Sequence, residues 1–147
     1  MPCTEQSPII NCCHNIRKYN FLYINLKSYN DVKPLMAATE KRPWGMFERF
    51  TLNEQSTVKL VYVDGDKRLS LQYHNNRSEF WKVIKGPVKV QLGNDTKMLQ
   101  TGESISIPKK AVHRLIGAGT DAIILEISLG EFDESDIVRL EDDYKRR

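Results

Sequence analysis

Residues 68–83 read RLSLQYHNNRSEFWKV, and the fold turns on how this stretch is parsed. Before the two asparagines, apolar and polar residues alternate. Leu69, Leu71 and Tyr73 share one face of an extended strand, while Arg68, Ser70, Gln72 and His74 share the other. After them Glu79, Trp81 and Val83 share a face. A glutamate entering a strand beside Trp and Val is costly to bury unless it is paired or bound to a cation, which marks this face as the inner one. The stretch therefore reads as a strand end, a turn at Asn75-Asn76 and the start of a second strand.

The same period of two continues on both sides, from Arg42 onward. The runs are ERFTLN, STVKLVYV, RLSLQYH, FWKVIK, VKVQLG, ESISIP, VHRLIG and AIILEISL. DGDK, Gly86-Pro87, Gly93-Asn94-Asp95, Thr101-Gly102 and Gly117-Ala118-Gly119 punctuate them. Short strands at this spacing predict an antiparallel sandwich or barrel. The closing run DESDIVRLEDDYKRR reads as a short helix or an extended strap, with Ser135-Asp136 as a cap. Residues 1–41 have no clean period and end in a polar hinge, AATEK. They are read as an N-terminal extension of undetermined structure, with one short strand or amphipathic piece around Phe21–Leu26, before a domain at 42–147. A start at Met36 is an alternative reading.

Composition excludes several classes. The 147 residues suffice for one domain with a real core. Net charge is +3, and residues 1–41 hold five Lys+Arg against three Asp+Glu, leaving 17 against 16 for the rest. No basic stripe points to nucleic acid. Cys3, Cys12 and Cys13 lack the C-x-x-C spacing of a zinc site and read as free thiols of a reducing compartment. No basic n-region precedes an apolar run, and no run is long enough to span a bilayer, so a cytoplasmic chain is expected.

Four potential ligands emerge from the faces. Gln72 and His74 point the same way, Glu79 is on the inner face, and His113 shares its face with Leu115. Amide oxygen, imidazole and carboxylate together suit one divalent ion such as zinc, manganese, cobalt or iron. Singly, each has a plainer role: Glu79 could pair with Arg77 or Lys82, His113 could be a loop histidine, and Gln72 could bond backbone.

The spacing of the set resembles the cupin pattern, G-x5-H-x-H-x3,4-E-x6-G followed by G-x5-P-x-G-x2-H. Gly65, Gln72, His74, Glu79 and Gly86 fill the first half; Gly102, Pro108, Lys110 and His113 fill the second. One extra residue follows Gly65, and Lys110 stands where glycine is usual. Arg42-Pro-Trp-Gly45, LSLQYH, Arg77-x-Glu79, IP-x-x-x-VHRL and DIVRLEDDY narrow the resemblance to type II mannose-6-phosphate isomerase domains. These also form the C-terminal part of bifunctional mannose-1-phosphate guanylyltransferases. The resemblance implies a double-stranded β-helix jelly-roll barrel, a divalent metal on Gln72, His74, Glu79 and His113, and aldose–ketose isomerisation of a sugar phosphate in polysaccharide-precursor metabolism. Guanylyltransferase activity is not expected from the 41 preceding residues. Asn76 and Phe80 replace two histidines of the family pattern, and Lys145 replaces a glycine.

Isomerisation needs a base near C2, an electrophile for the enediolate oxygens and a cation for the phosphate. Glu126 is the base candidate, if its face of AIILEISL looks inward; an outward-facing Glu126 is the alternative. Arg139 of the strap, Arg77, and Arg68 and Lys82 at a cavity rim are the candidate phosphate ligands. A non-catalytic sugar-phosphate-binding cupin is the competing reading. A metal-dependent oxygenase on His74, Glu79 and His113 is the third. The apolar face of Leu69, Leu71 and Tyr73 suggests a homodimer.

Overall fold

A computed structural model describes residues 37–146. The possible element around Phe21–Leu26 lies outside the described residues. Eleven strands appear among those described: β1 Ala38–Arg42, β2 Gly45–Arg49, β3 Ser56–Val63, β4 Leu71–His74, β5 Ser78–Lys85, β6 Val88–Leu92, β7 Asp95–Leu99, β8 Ser104–Ile107, β9 His113–Gly117, β10 Ala122–Leu129 and β11 Ile137–Glu141. Two antiparallel sheets carry the core, one ordered β3-β10-β5-β8 and the other β11-β4-β9-β6-β7. This is the double-stranded β-helix arrangement expected, with one correction. The two sheets stay separate, so the closed barrel is replaced by a sandwich with edges at β3, β8, β11 and β7.

Alternation explains which side chains meet. Val63, Trp81, Val83, Ile105, Ile107 and Ile124 from the first sheet face Val88, Val90, Leu92, Leu99 and Leu115 from the second. Each is at most 7% exposed, and each buried aliphatic or aromatic side chain contributes about 1.5–3 kcal/mol of transfer free energy. In β10 the inward set is Ala122, Ile124, Glu126 and Ser128, all buried. Glu126 is therefore on the inner face.

Three local expectations are corrected. The closing segment contains no α-helix: Asp133 caps a single 3-10 turn at Glu134–Asp136, and β11 follows at once. Three residues are too few for a helix to form, and the alternation of IVRLE is satisfied by pairing with β4. The AATEK hinge is mostly strand, because Ala38–Arg42 pairs with Gly45–Arg49 in a hairpin. Leu69 packs against the core instead of lying outward with Leu71 and Tyr73. The most exposed apolar side chains lie elsewhere, at Trp44, Leu52, Val58, Leu60, Tyr62 and Leu140.

The motif glycines have steric causes. A Cβ on Gly65 would stand 2.5 Å from the Thr120 backbone nitrogen, where the loops after β3 and β9 touch. Lys110 occupies the left-handed region at φ 65°, which explains the usual glycine there; Lys145, at φ 55°, is in the same position.

Candidate metal centre

Three of the four expected ligands converge on one buried point. His74 ends β4, Glu79 is the second residue of β5 and His113 opens β9, and their ligand atoms lie within 4.8 Å of one another. His74 Nε2 is 3.0 Å from Glu79 Oε1, and His113 Nε2 is 3.5 Å from Glu79 Oε2. Gln72 pairs with His113 in the β4–β9 register and joins the set from the side. Its Nε2 lies 3.5 Å from His74 Nε2, while its Oε1 accepts from Ser70 Oγ at 2.7 Å. A half-turn of the amide would aim the oxygen at the centre instead.

The bonding of this cluster is incomplete in a way that fits a cation. His113 Nδ1 is 2.8 Å from the carbonyl of Ala111 and so carries the proton, which leaves Nε2 with only a lone pair. That nitrogen has no hydrogen-bond partner, and neither has the Glu79 Oε2 it faces. Two buried acceptors aimed at each other cost free energy unless something positive lies between them. Glu79 is 3% exposed, yet its pKa is lowered. Burial alone would raise it, but the two imidazoles beside it, His113 and His74, outweigh that and keep it ionised. Trp81 closes one wall, edge-on to His113 with centroids 5.4 Å apart.

A second buried carboxylate stands on the same inner face. Glu126 pairs in register with Trp81, two positions from the Ser128–Glu79 pair. Burial, and next the charge of Glu79, push its pKa up, against the pull of Lys59 at 3.2 Å. Arg139 lies opposite Gln72 in the β11–β4 register, on the edge of the facing sheet.

The remaining expected cations are placed differently. Arg77 is 2% exposed and spends its guanidinium within the protein. Nε donates to Glu79 Oε1 at 3.2 Å, Nη1 donates to the Asp133 carbonyl at 2.9 Å, and the plane lies 4.6 Å from the Phe132 centroid. It is a strut between the ligand turn and the β10–β11 loop. Lys82 faces outward from β5, bonded to Glu48 and 5.5 Å above the Phe50 ring. Arg68 is exposed and bidentate to Asp143 at 2.7 and 2.8 Å. Phe80 is also on the outer face, 1% exposed and 5.5 Å from Phe50, so position 80 cannot reach the centre.

Two residues that sequence reasoning passed over complete the picture. Asp136 accepts from the backbone nitrogens of Asn75 and Asn76 at 3.1 and 3.0 Å, and from Asn76 Nδ2 at 3.2 Å. The asparagine turn is thus clasped by the closing segment. Lys59 is the other; its signal was its place in STVKLVYV, on the face shared with Val61 and Val63.

A family model described as mannose-6-phosphate isomerase, C-terminal, matches residues 30–142. The chain is 40% identical over 106 residues to mannose-1-phosphate guanylyltransferase 2 of Escherichia coli O157:H7. It is 38% identical over 107 residues to the alginate biosynthesis protein AlgA of Pseudomonas aeruginosa. Each match covers 71% of this chain and 22% of the relative's length. Among solved structures, a protein with a double-stranded β-helix domain from Klebsiella pneumoniae superposes with a TM-score of 0.53 at 17% identity. That likeness covers 62% of this chain and 78% of the other, and it bears on the fold alone.

Proposed function

This chain belongs to the mannose-6-phosphate isomerase C-terminal family, and from that premise we propose that it is a metal-dependent aldose–ketose isomerase acting on a sugar phosphate, with mannose 6-phosphate as the substrate. The observation that carries the reading is the unpartnered Glu79 Oε2–His113 Nε2 pair, with a second buried carboxylate, its pKa raised, on the same face.

His74, Glu79 and His113 would hold one divalent ion, with Gln72 as a fourth ligand after its amide turns. When bound, the ion would supply an electrophile for charge developing on the substrate oxygens. The rest falls to the chain's own groups. Glu126, its pKa raised toward the working range of a general base, takes the C2 proton and returns it to C1, so the carboxyl ends each turnover as it began. Trp81 and the surrounding aliphatic residues exclude water, which limits exchange of that proton. Arg139, at the edge of the facing sheet, orients the sugar oxygens. The same reading makes the chain a cytoplasmic homodimer, and places it in polysaccharide-precursor synthesis beside the alginate biosynthesis protein it resembles.

A second reading has its own support. Asn76, where the family pattern has histidine, is bound to Asp136 and cannot titrate near neutrality. A chain so altered could bind sugar phosphate without turnover. A coupled assay of mannose 6-phosphate to fructose 6-phosphate conversion, on the metal-supplemented wild type beside Asn76→His, separates the two. Turnover by the wild type is the expected result. Metal uptake with no turnover, restored by Asn76→His, would establish the binding reading instead.

A further inference from the structure

The cation that meets the substrate's phosphate is not settled by the residues expected from sequence. Arg77 has its donors committed within the protein, Arg68 is held by Asp143, and Lys82 faces away. We propose that Lys59, seated on the ring of Phe132, is the group that receives the substrate's phosphate, an inference that deepens the isomerase reading and rests on it.

Lys59 lies on β3 directly opposite Glu126 in the β3–β10 register, so it shares the inner face with the candidate base. Its ammonium joins two environments. It is 3.2 Å from Glu126, whose side chain is 9% exposed, and 3.8 Å from Glu134, whose side chain is 69% exposed. The Lys59 side chain itself is 35% exposed. The charge therefore stands where the interior meets solvent, at the sheet edge crossed by the β10–β11 loop. The Phe132 centroid lies 4.2 Å from Nζ and holds the ammonium in place through its π face.

Two carboxylates beside a lysine would ordinarily repel an anion, but neither is fixed against it. Glu134 is exposed, and its contact of 3.8 Å is long for a hydrogen bond, so a phosphate dianion can displace it. Glu126 lies on the buried side of Lys59, 3.2 Å away, so the ammonium can meet a phosphate on its exposed side while keeping that contact. An open-chain hexose phosphate held here by its phosphate would extend inward past Glu126 toward Glu79 and His113. That direction places the C1–C2 end at the ligand cluster.

The test is calorimetric binding of mannose 6-phosphate and of unphosphorylated mannose to the full chain supplied with manganese. The wild type should prefer the phosphorylated sugar. Lys59→Gln should lower that preference by about tenfold or more, the usual scale of one lost charge-assisted contact. Lys59→Arg should retain most of it, and Glu134→Gln should tighten phosphate-sugar binding by removing the competing carboxylate. A preference that survives Lys59→Gln overturns the anchor alone and leaves the isomerase reading standing. A wild type with no preference for the phosphorylated sugar overturns both. Should Lys59→Gln fail to fold, Glu134→Gln decides by itself, and unchanged affinity there overturns the proposal.

Discussion

Replacing Asp136 by alanine tests whether the asparagine turn is held from outside or stands alone. The carboxylate accepts two backbone N–H bonds, from Asn75 and Asn76, and one from the Asn76 amide. Hydrogen bonds to a charged acceptor contribute about 1.5–3 kcal/mol each. Both asparagines are exposed, so water reclaims part of the loss and the lower end applies. Two backbone bonds then give about 3 kcal/mol, with a few tenths more from the exposed amide. For a folded region of this size that corresponds to a fall in Tm of roughly 10–15 °C by calorimetry. Asp136→Asn keeps one acceptor and should lose about half as much.

The pH dependence supplies an internal check. Burial would raise the Asp136 pKa, but the N–H groups of Asn76 and Asn75 outweigh it and hold it below the usual carboxylate value. The stabilisation is therefore fully present above the unfolded-state pKa and is lost as pH falls through the lowered folded value. The wild type and Asp136→Ala should converge in acid. A variant that melts within about 2 °C of wild type at neutral pH, well inside the shift expected for even one lost bond, would refute the reasoning.

Other predictions follow from single side chains. Lys110→Gly relieves a left-handed residue and should stabilise by roughly 0.5–1 kcal/mol in urea titration, the relief outweighing the added chain entropy. Phe80→His, although it restores the family's residue, should cost about 2–4 kcal/mol by the loss of buried aromatic packing and leave isomerase activity no higher. Glu126→Gln bears on its raised pKa. A carboxyl whose folded pKa is raised loses stability as pH climbs from the unfolded value to the folded one. In chelator, the variant's Tm should gain on wild type as pH rises above the ordinary carboxylate value; a constant gap would contradict the assignment.

The ligand cluster was legible because strand period fixes faces. Once 68–83 was parsed as strand, turn and strand, Gln72, His74 and Glu79 had to point inward, and His113 followed from Leu115 beside it. The same logic left Glu126 open, since AIILEISL is apolar on both faces, and its burial came only from β3 and β5 lying on either side. Which of the candidate cations are held by other side chains was not legible. Whether an arginine or lysine is available depends on its partner, and those partners are distant in sequence: Asp143 for Arg68, Glu48 for Lys82, Asp133 for Arg77. Phe80 adjoins Glu79 in sequence, and because adjacent strand residues lie on opposite sides of the sheet, it faces away from the cluster toward Phe50.

The Asp136 clasp also bears on the order in which the protein is made. The carboxylate lies 60 positions beyond Asn76, so during vectorial synthesis the turn carrying His74 and Glu79 emerges long before its fastening. His113 emerges in between, which allows the three ligands to meet while the turn is still unfastened. Emergence of the 3-10 turn and β11 then fastens the turn, so the clasp is the last contact made at this cluster as the chain is synthesised.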